Sequence, residues 1–201
     1  MKVFIVILNW NRAKDTLDCL RSIEKLSIIN YQLSIVVVDN GSTDNSVSLI
    51  TRNTQHETKK QINFKIIKNK ANLGFAGGNN VGIRHALDNG ADSVVILNND
   101  TAVDNGLIEG LLKTAEQNKD AGVISPKIYF AKGYEFHKDR YDKSDLGKVI
   151  WYAGGKMDWD TVYGSNRGVD EIDRGQYDEV TETDFATGAC MFLKSETLKK
   201  V

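Results

Sequence analysis

The sequence is short of almost everything that would mark it for export, for a membrane or for nucleic acid. It has one proline and two cysteines, and its 26 basic and 27 acidic residues leave a formal net charge of −1. So small an imbalance creates no general field for nucleic acid or an anionic surface, and specificity has to come from a local site. Cys19 and Cys190 make neither a metal-ligand pair nor a framework of bridges, which suits a reducing compartment and makes the cytoplasm the default location. His56, His85 and His137 are scattered without ligand spacing. The opening apolar run, residues 3–8, is short. A signal core needs about 7–15 apolar residues and a membrane span about 20, so the reading predicts neither. No low-complexity linker interrupts the chain, and 201 residues with 41% hydrophobic content are enough for one sizeable core.

Four apolar, β-branched runs, residues 3–8, 33–38, 62–67 and 93–97, predict buried strands. Between them lie helical spacings, carried by Leu17, Leu20, Ile23 and Leu26, then by Val81, Ile83, Ala86 and Leu87. A further helix is expected around Leu107, Ile108, Leu111, Leu112 and Ala115. Strand starts recur about every 30 residues, the length of a βαβ unit, so the expected fold class is α/β, a mostly parallel central sheet with helices on both faces. Beyond Pro126 the alternation fades. Residues 129–184 read as an irregular excursion with a hairpin near Trp151 to Trp159, strand character returns at 185–193, and a last helix starts near Ser195.

Such a sheet places its ligand beyond the carboxyl ends of the strands. The loops there are Asn9, Trp10 and Asn11; Asp39, Asn40, Gly41 and Ser42; residues 72–80; and Asn98, Asn99 and Asp100. Asp39 either accepts hydrogen bonds from a base N–H or a ribose hydroxyl, or simply shapes its turn. Ser42 or Thr43 is placed to cap the next helix. The run Asn72, Leu73, Gly74, Phe75, Ala76, Gly77, Gly78, Asn79 and Asn80 opens a helix and allows close backbone approach to a diphosphate. Gly74, Gly77 and Gly78 do not fit the dinucleotide-binding spacing, and the absence of a Walker lysine argues against a nucleoside triphosphatase. Asp100 offers a hard oxygen ligand for magnesium or manganese, or else caps a helix, a duty that Thr101 or Asp104 could share.

The segments VILNWNRAKDTLDCLRSI, IVVVDNGSTDNS, NLGFAGGNNVGI, VVILNNDT, WYAGGKMDWDTVYGSNRG and TDFATGACMFLKSE resemble, in this order, the successive motifs of the inverting family 2 glycosyltransferases, especially the branch with many rhamnosyltransferases. The resemblance implies the glycosyltransferase A fold, a UDP-sugar or dTDP-sugar donor such as dTDP-rhamnose, and a divalent cation. It implies one glycosyltransferase domain, 1–201, with a nucleotide-binding part at 1–128 and an irregular excursion opening the acceptor side at 129–201. It places Asn9, Trp10, Asn11, Asp39, Asn40 and Ser42 around the nucleobase and ribose. Asn72, Gly74 and Asn79 lie close to the nucleotide, Asn99 meets the ribose, Asp100 binds metal, and Gly188 and Ala189 flank the donor sugar.

Two departures stand out. Asn98 occupies the first position of the family's frequent D-x-D triplet, so metal binding rests on Asp100 with water and phosphate. The family's catalytic base is expected in an acidic pair beyond the G-A-C segment, past Val201, so little activity is expected of this chain alone. Inside the chain Asp184 is the leading candidate base, ahead of Glu182, Asp158 and Asp160. The acceptor implied is a saccharide or a lipid-linked saccharide in surface polysaccharide assembly, with peripheral association at the inner membrane face and no nucleic-acid partner. Trp151, Trp159 and Tyr163 either stack on that acceptor or form a small aromatic core. Two rivals remain open: a noncatalytic nucleotide-sugar-binding module, distinguished by lack of an acidic pair, and a sugar nucleotidyltransferase. The second needs a glycine-rich basic loop after the first strand, where this chain has Asn9, Trp10, Asn11 and Arg12.

Overall fold

The computed structural model describes residues 1–57 and 62–200. Two compact units emerge, Met1–Ile124 with Gly188–Val201, and Ser125–Thr187.

The first unit runs β1 (Lys2–Asn9), α1 (Ala13–Ile23), β2 (Gln32–Asp39), α2 (Ser46–Glu57), β3 (Ile62–Lys68), α3 (Gly74–Asp88), β4 (Ser93–Asn98), α4 (Leu107–Gln117) and β5 (Val123–Ile124). The second unit contributes β6 (Ile128–Tyr129), β7 (Ile150–Tyr152), β8 (Gly155–Asp158) and β9 (Tyr163–Asn166), after which β10 (Cys190–Lys194) and α5 (Ser195–Leu198) return to the first. The central sheet has the order β3-β2-β1-β4-β10-β5. β1 pairs in parallel with β2 and β4, β2 does so with β3, and β10 lies antiparallel between β4 and β5. The expected mostly parallel α/β sheet is what forms.

The inner strands β1, β2 and β4 are apolar on both faces because both faces are covered. Phe4, Val6, Val36, Val38, Val94 and Ile96 pack with Ile83 and Ala86 of α3, while the alternate residues Val3, Ile5, Ile7, Ile35, Val37 and Leu97 are buried on the other face. α3 lies unusually close to the sheet. A Cβ on Gly78 would stand 2.4 Å from Leu8 Cδ1, and one on Gly82 2.4 Å from Val6 Cγ1. Consecutive crossovers reverse direction between β1 and β4, which makes their adjacent carboxyl ends the switch point where an open sheet leaves a crevice.

The second unit buries Val149, Ile150, Tyr152 and Ala153 and is laced by polar contacts. Lys127 Nζ bridges Asp173 and Asp178, each at 2.6 Å. Burial would raise the Asp173 carboxyl, but the Lys127 ammonium and Tyr129 hydroxyl hold it at about 2. Asp170, at φ 69°, accepts from His137 at 2.6 Å, from Arg140 at 2.5 Å and from the Tyr141 hydroxyl. The hairpin expected near Trp151 to Trp159 lies further along, pairing Gly155 with Asn166 through to Asp158 with Tyr163, and Trp151 belongs instead to β7, paired with β6. Trp159 and Tyr163 are 74% and 68% exposed, so they form no aromatic core.

Candidate functional site

At the switch point one hydrogen-bond chain links the ends of three strands. Asn9, fully buried at the end of β1, donates from Nδ2 to Asp39 Oδ1 at 2.8 Å and to Ser42 Oγ at 3.2 Å. Its Oδ1 accepts from Thr16 Oγ1 at 2.9 Å, and the Thr16 hydroxyl in turn accepts from Asn99 Nδ2 at 3.1 Å. Asp39 closes the other end: Oδ1 accepts from Ser42 Oγ at 2.6 Å and Oδ2 from the Ser42 N–H at 3.1 Å. Ser42 therefore does not cap α2. Asp44 takes that part, accepting from the Ser46 N–H at 2.9 Å, and hydrogen bonding from Ser46 holds the Asp44 carboxyl below its usual range.

A second knot fixes the turn before α3. Asn40, 2% exposed, donates to Asn72 Oδ1 at 2.8 Å and to the Gly74 carbonyl at 3.1 Å. Its Oδ1 accepts from Asn69 Nδ2 and the Leu73 N–H, both at 3.0 Å. Asn72 Oδ1 also accepts from the Gly74 N–H at 2.8 Å, and Gly74 enters the helix at φ 72° with nothing within 4 Å of where a Cβ would be. Of the glycines in this run, Gly74 has its Cβ direction open, whereas Gly78 serves packing against Leu8. Gly41 needs its φ of 76° and the absence of a side chain, since a Cβ there would be 2.7 Å from the Ala71 backbone.

The remaining rim residues fall into place around these knots. Asn11, left-handed at φ 53°, accepts from the Thr43 N–H at 2.9 Å, and its own N–H donates to Ser42 Oγ at 2.9 Å. Between Asn9 and Asn11, Trp10 stays 52% exposed. Gly188 lies against the Phe75 ring, 2.8 Å from the position of a Cβ, and the Ala189 carbonyl accepts from the Asn98 N–H at 3.0 Å. Asn79 is 2% exposed inside α3; its Nδ2 donates to the Phe75 carbonyl at 3.0 Å and its Oδ1 has no partner among the described residues.

Asp100 differs from its neighbours. It is exposed, and among the described residues its carboxylate has no hydrogen-bond or ion-pair partner. α4 starts from Gly106 without a side-chain cap; Asp104 Oδ1 accepts from the Gly106 N–H at 2.9 Å in the preceding turn, and Thr101 donates to the Asn98 carbonyl at 2.7 Å. No group of three His, Cys, Asp or Glu side chains among the described residues could hold a metal unaided. Beneath this loop Cys19 contacts the Asn98 carbonyl at 3.7 Å; burial pushes its thiol up to about 12.

Asp184 lies in the second unit with a structural task. Its Oδ2 accepts from the Met157 N–H at 2.8 Å and its N–H donates to the Gly155 carbonyl at 3.1 Å, which fastens the first strand of the hairpin. Sequence reasoning missed Thr16 and Phe75. Thr16 was findable as a hydroxyl among the buried positions Ala13, Cys19, Leu20 and Ile23 of α1; Phe75 gave no signal, because its partner Gly188 is remote in sequence. No helix among the described residues is long and apolar enough to cross a membrane.

Known proteins agree with this architecture. The chain is 24% identical over 198 residues to the low-salt glycan biosynthesis hexosyltransferase Agl10 of Haloferax volcanii, covering 98% of this chain and 54% of that protein. It is 28% identical over 154 residues to the glycosyltransferase GlyG of Streptococcus pneumoniae, covering 77% of this chain and 44% of that one. The chain thus spans about half the length of these curated relatives. Among solved structures it is similar to the mannosyltransferase PcManGT from Pyrobaculum calidifontis in complex with GDP-Man and Mn2+. That likeness has TM-score 0.62 and 18% identity, over 98% of this chain and 46% of that one. It is also similar to S. aureus TarS 1-349 in complex with UDP-GlcNAc, with TM-score 0.55 and 20% identity over 66% and 36% of the two chains. These likenesses establish a shared glycosyltransferase A fold. With residues 4–197 matching the family model described as Glycosyl transferase family 2, the chain belongs to the family 2 glycosyltransferases.

Proposed function

We propose that the first unit binds a nucleotide-diphosphate sugar at the β1/β4 switch point, for inverting transfer of its glycosyl group to a saccharide or lipid-linked acceptor. The donor in this reading is a UDP-sugar or dTDP-sugar, dTDP-rhamnose among the candidates. Trp10 and Asn11 flank the base. Asp39, whose Oδ2 accepts a single hydrogen bond among the described residues, keeps an acceptor direction for a base N–H or ribose hydroxyl, while Asn9, Asn40 and Ser42 hold these groups in place. Asn99 serves the ribose, Asn72 and the start of α3 at Gly74 serve the diphosphate, Asn79 stiffens that helix start, and Gly188 and Ala189 border the sugar. PcManGT and TarS, bound to nucleotide sugars, share this fold.

The observation that carries the reading is the uncommitted carboxylate of Asp100 on a rim whose other polar groups are largely engaged with one another. A divalent cation fits there only as a shared ligand, since one carboxylate with Asn98 in the neighbouring acidic position is too little alone. Magnesium commonly uses one or two carboxylates, waters and substrate phosphates in this way. Such a cation, when bound, neutralises charge on the departing nucleoside diphosphate. Asp184 remains the in-chain candidate base of the reading, although its carboxylate already holds Met157. Association with the inner membrane face and a role in polysaccharide assembly complete the proposal.

Titration calorimetry of UDP, dTDP, GDP and CDP with manganese tests this. Binding should require the cation and prefer a uracil or thymine base, and Asp100→Ala should abolish the cation dependence while circular dichroism stays unchanged. Tight binding that is indifferent both to chelator and to Asp100→Ala removes the metal assignment.

A further inference from the structure

The β8–β9 hairpin of the second unit has two unlike faces. Alternation along the paired strands puts Gly155, Met157, Gly164 and Asn166 on one face, and Lys156, Asp158, Tyr163 and Ser165 on the other. The first face is partly covered, with Gly155 buried and Met157 half-buried. A Cβ on Gly155 would stand 2.5 Å from the Phe185 ring, and one on Gly164 3.4 Å from it. Phe185 is itself pinned, because its carbonyl accepts from the Tyr152 hydroxyl at 2.6 Å and from Thr183 Oγ1 at 3.1 Å.

The second face and the turn are bare. Trp159 is 74% exposed, Val162 74% and Tyr163 68%, amid exposed Lys156, Asp158, Asp160 and Ser165. Yet the turn is stiff: Asp158 Oδ1 accepts from the N–H groups of Asp160 at 3.0 Å and Thr161 at 3.3 Å. Val162 sits at φ 53°, a conformation glycine would adopt without strain and a β-branched residue rarely does. An apolar side chain is thereby kept exposed at the residue preceding Tyr163, where a glycine would leave none.

We propose that Tyr163 and Trp159 form a saccharide-binding platform, with the C–H face of a pyranose ring stacked on an aromatic ring and its hydroxyls donating to Asp158 and Asp160. The proposal rests on the glycosyl-transfer reading above and names the acceptor side of it. The charge beside the rings selects this occupant. Two carboxylates outnumber the ammonium of Lys156, which disfavours anionic lipid and phosphate, while a neutral polyhydroxylated ring supplies the donors that carboxylates accept.

The test uses the whole chain labelled with 5-fluorotryptophan, whose three fluorine resonances report Trp10, Trp151 and Trp159 separately. Assignment comes from single Trp→Phe variants. The probes are disaccharides of rhamnose, mannose and N-acetylglucosamine, phosphatidylglycerol vesicles, and UDP with manganese. At least one disaccharide should move the Trp159 resonance saturably. Tyr163→Ala should weaken that binding about two- to tenfold and Tyr163→Phe should leave it unchanged, since stacking needs only the ring. A Trp159 resonance unmoved by every disaccharide overturns the platform, and one moved by vesicles alone overturns it in favour of a membrane contact. The Trp10 resonance responds to nucleotide independently: its silence alongside a responding Trp159 rejects the donor site and leaves the platform standing.

Discussion

Thr16→Val is the sharpest test of the switch-point network, because it removes one hydroxyl and leaves shape almost unchanged. Thr16 is fully buried, and its Oγ1 both donates to Asn9 Oδ1 and accepts from Asn99 Nδ2. Valine is β-branched like threonine, so the helix propensity of α1 hardly changes. The cost is electrostatic. Asn9 has no exposed surface, so its Oδ1 is stranded without a donor, a loss of about 1–3 kcal/mol for a buried unsatisfied group. Asn99 is only half-buried and can turn to water, adding little to that loss. For a chain of this size the melting temperature should fall by about 2–12 °C, at about 2–4 °C per kcal/mol. With Asn99 no longer held, nucleotide affinity should drop about two- to tenfold, the worth of one ordinary hydrogen bond. Thr16→Ser is the control: it gives up a buried methyl, about 0.8 kcal/mol, but keeps the hydroxyl, so nucleotide affinity should hold. Urea unfolding and calorimetry on both variants decide. A stability loss below about 0.5 kcal/mol for Thr16→Val, typical of an indifferent surface change, refutes the network, as does equal weakening of nucleotide binding by the two variants.

The same glycine-to-alanine change should have opposite signs at two helix positions. At Gly82 the new Cβ would stand 2.4 Å from Val6 in the packed core, and overpacking of about 1–3 kcal/mol outweighs a propensity gain of about 1 kcal/mol. At Gly110, exposed in α4 with nothing within 4 Å, the gain stands alone and the protein should be stabilised by about 1 kcal/mol; a melting curve for each variant checks the pair. Burial lifts the Cys19 and Cys190 thiols from 9.0 to about 12. A thiol raised in the folded state contributes stability that is intact below 9.0 and lost as pH rises toward 12. Urea midpoints should therefore decline above pH 9, and Ellman's reagent at pH 8 should label both thiols only after unfolding; rapid labelling of the native chain contradicts the burial.

The first four strands were legible to within a residue or two: β1, β2 and β4 are buried on both faces and so read as continuous apolar runs, while the edge strand β3 keeps an apolar alternation around its exposed Asn63 and Lys65. Misreadings came where one pattern serves two purposes. Residues 185–193 looked like one strand, yet Phe185 packs on the hairpin glycines and pairing starts only at Cys190. The aromatics of residues 151–159 suggested a hairpin, but the turn is made by Asp158, and the strands lie four residues later than the first tryptophan implied. The run 72–80 read as opening a helix, and α3 begins within it at Gly74. That Gly78 is there for Leu8 was not readable, because it depends on which residues of β1 face α3. Asp39 was weighed as turn-former against ligand group, and its three hydrogen bonds show it forming the turn without excluding the other duty.

The division of labour on the rim has a thermodynamic consequence. Asn9, Asn11, Asn40, Asn72 and Ser42 are polar side chains that would otherwise have to be ordered when a ligand arrives, and each is already fixed by a partner on another loop. Immobilising a free polar side chain on binding costs about 0.5–1.5 kcal/mol, so the network moves that cost from binding to folding. What it cannot do is concentrate charge. Every rim amide is neutral, Asp39 is tied to Asn9 and Ser42, and among the described residues of the rim only the Asp100 carboxylate is without a partner and so left for the proposed cation. A divalent ion should then bind weakly to the bare chain and tightly once a diphosphate supplies further oxygens. On the proposed reading the nucleotide gains, by reciprocity, the same factor from the ion, so that the loss of Asp100 should weaken both together.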